Sequence, residues 1–307
     1  MPETLSASAT DQSNPTTHAQ MRRSMDNSTI LRAAQQYMGK TAWPTVAWSV
    51  LVLAAYGAVL YVGLTHQMPL ALSFVLLSWL LYWLYTSLHE AVHSNIANNR
   101  SNLNWLNEAI GYIAGSLLGV PFTLHRNAHM AHHRATNIVG KDPDAVFEKP
   151  GLWHGISRAV LLIFNEYKEY FGGAHGASDA KTQRILWTEI AIMIGWRSML
   201  IALGFPFETL VLGVLANLMG VVIVGTLFAW AVHTPFDKTE RYQNTSTIIL
   251  PRAIHGPATF MWVWQNYHSI HHLFPRVPFY QYRKLFEEIR PGMEERGAPI
   301  LDMQARN

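Results

Sequence analysis

The chain has 307 residues, of which 50% are hydrophobic and only 14% charged, with a net charge of +3 and no cysteine. Soluble domains carry about 25% charged residues, so this is the composition of a membrane protein. It excludes disulfides, thiolate metal sites, thiol nucleophiles and cysteine-ligated iron–sulfur clusters, and no basic run interleaved with aromatics points to nucleic acid.

Residues 1–40 are polar, rich in Ser, Thr, Asn and Gln, and hold no early apolar core. They are not a secretory signal and read as a disordered tail before a single membrane domain over 41–307. Residues 43–64 are long enough to cross a bilayer, Thr65-His66-Gln67-Met68-Pro69 breaks the run without a cation, and residues 70–88 cross back. The second crossing runs straight into His89-Glu90-Ala91-Val92-His93. Residues 105–124 are again apolar, with Gly111, Gly115 and Gly119 spaced by four, and lead to His129-Met130-Ala131-His132-His133. Residues 153–170 mix Arg158, Glu166 and Lys168 with aromatics and read as an amphipathic helix at the interface. Residues 185–203 and 207–232 form a second hairpin, broken at Gly204-Phe205-Pro206. His233 ends it, and His268-Ser269-Ile270-His271-His272 follows.

The expected fold is therefore an all-α integral membrane protein, with four transmembrane helices in two hairpins and a helical cap on one side. Of 23 Lys and Arg residues, four precede the first span, Arg197 lies inside a span, and nine follow each hairpin. The positive-inside rule places both termini and all three histidine clusters in the cytoplasm, as in a bacterial-type inner membrane. Glu189 and Arg197 stand eight residues apart in the third span, too far for a direct pair. Glu189 can reach the interface, while Arg197 must face protein or snorkel.

Residues three or four apart share a helix face, so each cluster can aim two or three imidazoles at one point. Eight clustered histidines exceed the needs of one ion, since a structural zinc takes four ligands and a catalytic one three. The pattern reads as a two-metal site of His89, His93, His129, His132, His133, His268, His271 and His272. His233 ends its span at the same depth and is a ninth candidate. His125 shares a face with His129 but stands outside the repeated pattern, in a supporting or structural role. Imidazoles tolerate Fe(II)/Fe(III) cycling and suit a pair of iron ions, although spacing alone also permits zinc or manganese. Asp144 and Asn266 are candidates to orient a ligating imidazole or hold a metal-bound water. If the clusters share a site, residues 105–124 cannot cross the membrane, which would separate clusters one and two. A re-entrant or interfacial segment, or one packed under the cap, is expected there, because Glu108 and Pro121 leave few uninterrupted apolar residues; a span packed through small residues is the alternative. His89-Glu90-Ala91-Val92-His93 also matches the HExxH zinc-protease pattern, in which the Glu activates water. That reading leaves two clusters unused.

The three clusters, in this order and with these gaps, resemble the membrane fatty acid desaturase superfamily over about residues 43–300. The flanks Lys141-Asp142-Pro143-Asp144, Trp230-Ala231-Val232-His233-Thr234-Pro235 and Asn266-Tyr267-His268 through Pro275-Arg276-Val277-Pro278 are similar to the branch of carotenoid ring hydroxylases, ketolases and bacterial acyl-lipid desaturases. The late Arg296-Gly297-Ala298-Pro299 is similar to carotene hydroxylases. The chain departs from the carotenoid enzymes at Glu90, where they often carry Asp, and His125 is not a usual member of the pattern. The resemblance implies the eight clustered histidines as ligands, with His233 in the place of a further one, and an O2-dependent reaction on a lipid C–H bond using two external electrons. Fatty acyl desaturation is the leading expectation and carotenoid ring oxidation the alternative. The sequence contains no heme-binding segment, no Gly-rich dinucleotide fingerprint and no cysteine, so a separate donor such as ferredoxin or a small heme protein is the expected partner.

Overall fold

The computed structural model describes residues 25–98, 100–172 and 179–304. Four helices are long and apolar enough to cross a membrane: α2 (Trp43–Leu64), α3 (Leu70–Val92), α8 (Ala180–Ala202) and α9 (Pro206–Trp230). At about 1.5 Å per residue, their lengths exceed the roughly 30 Å of a hydrocarbon core. Both hairpins turn where the sequence breaks, with His66 at φ 56° in the first and Gly204 at φ 97° in the second. Thus the chain has the all-α membrane architecture that its hydropathy indicates. α3 and α9 form the centre of the bundle, while α2 and α8 leave most of their surfaces uncovered.

Residues 105–124 do not cross. They form α4 (Asn104–Leu118), which turns at Gly119-Val120-Pro121 into α5 (Phe122–Ala135). Fifteen residues span only about 22 Å, short of a bilayer core, and α5 doubles back along α4 after the turn. The glycines make this re-entrant turn possible. A Cβ on Gly111 would sit 2.3 Å from the Phe122 ring, and one on Gly115 would sit 2.6 Å from the Val120 carbonyl oxygen. Gly119 caps α4 at φ 75°, a left-handed conformation that costs glycine no Cβ strain. Gly115→Ala is expected to lower stability by about 1–3 kcal/mol, the range for overpacking, because the obstructing atom is backbone. A thermal melt of the purified protein checks this, and an unchanged melting temperature would mean the turn is looser than described.

The buried ends of a re-entrant hairpin leave backbone groups that lipid cannot satisfy. The two intramembrane charges of α8 meet them. Arg197 donates through Nη1 to Ser116 O (3.4 Å) near the end of α4 and to Met193 O (2.8 Å), and through Nε to Gly213 O (2.8 Å). Asn217 of α9 donates to Leu117 O. Glu189 accepts from the Thr123 backbone N–H (3.3 Å) and from the Thr123 hydroxyl at the start of α5. A cation therefore stands at a helix C-terminus and a carboxylate at an N-terminus, as the helix dipole favours. Arg197 thus faces protein, the first of its two expected placements, and Glu189 is bound to the start of α5.

Three further departures from the sequence expectation have local causes. Of the tail expected over 1–40, residues 1–24 lie outside the described residues, but Asn27–Gln35 is a helix, α1. Asp26 caps it by accepting from Thr29 N at 2.8 Å, and Ile30 and Ala34 bury against the C-terminal helix. The interfacial segment is two helices, α6 (Leu152–Ala159) and α7 (Leu162–Phe171). Their exposed side chains include Trp153, Val160, Phe164 and Phe171, while Glu166 and Tyr170 turn inward. A short parallel pair, β1 (Thr247–Ile249) with β2 (Ile300–Asp302), fastens the C-terminal segment beside the third cluster. The remaining cap helices are α10 (His255–Met261), α11 (His268–Leu273) and α12 (Tyr282–Glu295).

Candidate metal centre

Cluster one occupies the last turn of α3, cluster two the last two turns of α5, and cluster three most of α11. The re-entrant hairpin brings the end of α5 back to the end of α3, and His233 arrives just beyond α9. All nine predicted histidines meet in one region. One ligand atom from each of His89, His93, His129, His133 and His271 lies within 4.8 Å of every other, and His132, His233 and His272 form a second such group. His268 stands outside both by that measure, its ring 4.8 Å from His272 and 5.1 Å from His233. The two adjacent pairs are divided between the groups, His133 and His271 to the first and His132 and His272 to the second. Successive helical residues point about 100° apart, so a His-His doublet serves two neighbouring points.

Nitrogens face each other throughout. Nε2–Nε2 separations are 3.0 Å for His89 and His271, 2.9 Å for His93 and His129, 2.8 Å for His133 and His271, and 3.1 Å for His132 and His233. The opposite nitrogens are anchored. His132 Nδ1 pairs with Asp142 Oδ1 at 2.8 Å, His268 Nδ1 with Gln265 Oε1 at 3.2 Å, and His271 Nδ1 with the Tyr282 hydroxyl at 3.1 Å. His233 Nδ1 donates to the Ala229 carbonyl. Asp142 is itself fixed by the backbone N–H groups of Asn137 (2.7 Å) and Asp144 (2.8 Å).

These anchors test whether a metal fits. Neutral His132 and His233 each carry their proton on Nδ1, facing an oxygen that can only accept. Their two Nε2 lone pairs then meet at 3.1 Å, which a shared cation would relieve. Burial pushes His129, His133, His268, His271 and His272 well below the usual histidine pKa, and His93 and His233 down to about 3, so these rings stay in the neutral, ligating form. His132 is the exception. Burial opposes its charge, but the Asp142 and Asp144 carboxylates prevail and raise it to about 9. A proton on His132 is what a metal would displace. The donor set, all imidazole with a carboxylate behind one ring, fits iron and other borderline metals.

A fatty acid desaturase family profile matches residues 65–303, most of the chain and all three clusters. The chain belongs to the fatty acid desaturase family. Among curated proteins, this desaturase-family chain is similar to the sn-1 oleoyl-lipid 12-desaturase of Picosynechococcus sp., at 24% identity over 225 residues. The match covers 64% of this chain and 62% of that relative's length.

Two expectations for this family member, those for Asp144 and Asn266, differ from the structure. Asp142, not Asp144, makes the close contact to His132; Asp144 Oδ2 stays 3.7 Å away. Both acids sit in one turn after α5, and sequence spacing could not tell which carboxylate turned inward. Asn266 approaches no imidazole by hydrogen bond: its amide donates to Ile248 O of β1 at 3.0 Å. Glu90 is turned from the cluster, accepting from Asn95 Nδ2 (3.2 Å) and the Thr45 hydroxyl (3.4 Å). It cannot activate water in the manner of an HExxH protease. His125 stacks on His129, ring centroids 5.6 Å apart, and pairs through Nδ1 with Glu166 Oε1 of α7 at 2.9 Å. Glu166, Gln265 and Tyr282 were not anticipated; Gln265 stands three residues before His268, and Glu166 and Tyr282 lie on separate helices 41 and 11 residues from their histidines.

Asp142→Asn is expected to weaken metal binding by about 10–100-fold, the usual effect of removing an orienting carboxylate, while Asp144→Asn has a smaller effect. Metal titration of the two purified variants checks the order, and equal losses would remove the distinction.

Proposed function

We propose that this chain is an O2-dependent di-iron membrane oxidoreductase that desaturates fatty acyl chains of membrane lipids. The observation that carries the reading is the convergence of eight imidazoles in two adjoining groups, with His268 beside them, at one end of an apolar bundle. Two irons held there would supply O2 activation and the removal of hydrogen from an unactivated C–H bond. The balance is that a –CH2–CH2– unit loses two hydrogens, and O2, two electrons and two protons leave as two waters. The protein's own part is orientation: Asp142, Gln265, Tyr282 and the Ala229 carbonyl hold ring directions, the Asp142 carboxylate and Ala229 carbonyl as acceptors also set the tautomers of His132 and His233, and the Nε2 atoms of His132, His233 and His271 face other imidazoles. The hydrophobic walls of Phe228 against His89 and His268, at ring separations of 4.8 and 5.0 Å, limit water at the site.

Electrons come in this reading from a separate protein, a ferredoxin or small heme protein. The clusters and both termini face the cytoplasm, supported by the distribution of Lys and Arg. The similarity to an acyl-lipid desaturase favours an acyl chain over a carotenoid. The test is lipid and pigment profiling of a host that makes β-carotene, expressing the chain or its His132→Ala variant. A new acyl double bond with the parent chain alone is expected. A new hydroxylated or keto carotenoid, with unchanged acyl chains, would overturn the assignment in favour of the carotenoid branch.

A further inference from the structure

Away from the imidazoles, a cavity of about 480 Å3 lies between α4 and α8. Its α8 wall is Lys181, Arg184, Ile185, Thr188, Glu189 and Ile192, residues spaced by three and four along one helix face. Tyr112 and Ser116 of α4 face them. From Lys181 to Ile192 the helix rises about 16 Å. Along α8 the wall begins with the two cations and continues through Ile185 and Thr188 to Ile192. Glu189 does not offset the cations, because its carboxylate is engaged with Thr123 on the re-entrant hairpin. Among the described residues, neither Lys181 nor Arg184 has an acidic side chain as salt-bridge partner. α8 is also the least covered of the four spans.

Positive charge at one end and a mainly aliphatic face beyond it match an anionic glycerophospholipid, whose phosphate leads into acyl chains. We propose that an anionic phospholipid occupies this slot as a bound brace, its headgroup on Lys181 and Arg184 and one chain beside Ile185 and Ile192. It would fill the gap between α8 and the hairpin whose second limb carries His129, His132 and His133. Its place is on the hairpin's α8 side, so it is a structural ligand and not the substrate at the imidazoles.

The experiment uses the full chain in nanodiscs of phosphatidylglycerol or phosphatidylcholine, reading melting temperature and co-purified lipid by mass spectrometry. Each basic residue near an anionic surface favours binding by on the order of fivefold. The parent protein is expected to melt higher in phosphatidylglycerol, to retain that lipid in preference, and to lose the preference at high salt. Lys181→Gln with Arg184→Gln should remove most of the preference while the melting temperature in phosphatidylcholine and the metal content stay unchanged. Ile192→Trp, which fills the slot and leaves both cations, should reduce retained lipid as well. Equal stabilisation by the two lipids in the parent protein would overturn the proposal. So would an equal shift from inorganic phosphate alone, or an undiminished preference in the double variant.

Discussion

His271→Ala is expected to abolish the acyl double bond made by the parent chain and to lower metal content to no more than about one ion per chain, with affinity at the damaged position falling by more than about 100-fold. Removing an orienting carboxylate alone costs about 10–100-fold, and His271 does more than orient. Its Nε2 is 3.0 Å from that of His89 and 2.8 Å from that of His133, so it closes the five-membered group. Its Nδ1 is tied to Tyr282, which fastens α12 to the site. Alanine removes the donor and leaves the Tyr282 hydroxyl buried without that partner. Elemental analysis of the purified variant beside acyl-chain profiling of its host checks both parts. Full metal content with full activity would mean that His271 is not a ligand.

Arg197→Leu is expected to destabilise the protein by about 2–4 kcal/mol and to lower metal content, although Arg197 touches no imidazole. Each buried acceptor left without a donor costs about 1–3 kcal/mol. The substitution strips donors from Ser116 O and Gly213 O within the bilayer region, where water cannot replace them. It also removes the stacking of the guanidinium on Trp196, 4.2 Å from the ring centroid. The loosened hairpin includes α5, and so the loss reaches His129, His132 and His133. Arg197→Lys should fall between the two, since an ammonium can reach fewer carbonyls than a planar guanidinium. Melting in detergent with metal analysis reads both effects. Parent-like values for Arg197→Leu would contradict the capping role.

The parts of this structure that depend on local periodicity were legible in the sequence. Four apolar runs gave four spans, and i, i+3, i+4 spacing gave three faces of imidazoles. The α4–α5 hairpin was legible through chemistry, since clusters one and two could share a site only if residues 105–124 failed to cross, and through Glu108 and Pro121, which interrupt the apolar run. The same glycine spacing fits an ordinary packed span, and what decides is that Gly115 faces Val120 O of its own turn. The roles of Glu189 and Arg197 were hidden because their partners are backbone groups 66 and 81 residues away in sequence. His125 was set apart as a residue outside the pattern, but its partner Glu166 lies 41 residues on, in a helix read only as interfacial. The choice between Asp142 and Asp144 rests on the direction of one turn, which Asn137 and Asp144 backbone N–H groups set by binding Asp142.

The most direct measurement is metal quantification and X-ray absorption on the parent protein purified from iron-supplemented cells. Two irons per chain with a first coordination shell dominated by imidazole nitrogen is the result expected from two adjoining groups of histidines. A single zinc per chain, retained in His271→Ala and in His132→Ala alike, would contradict the two-metal centre and the oxidative chemistry built on it.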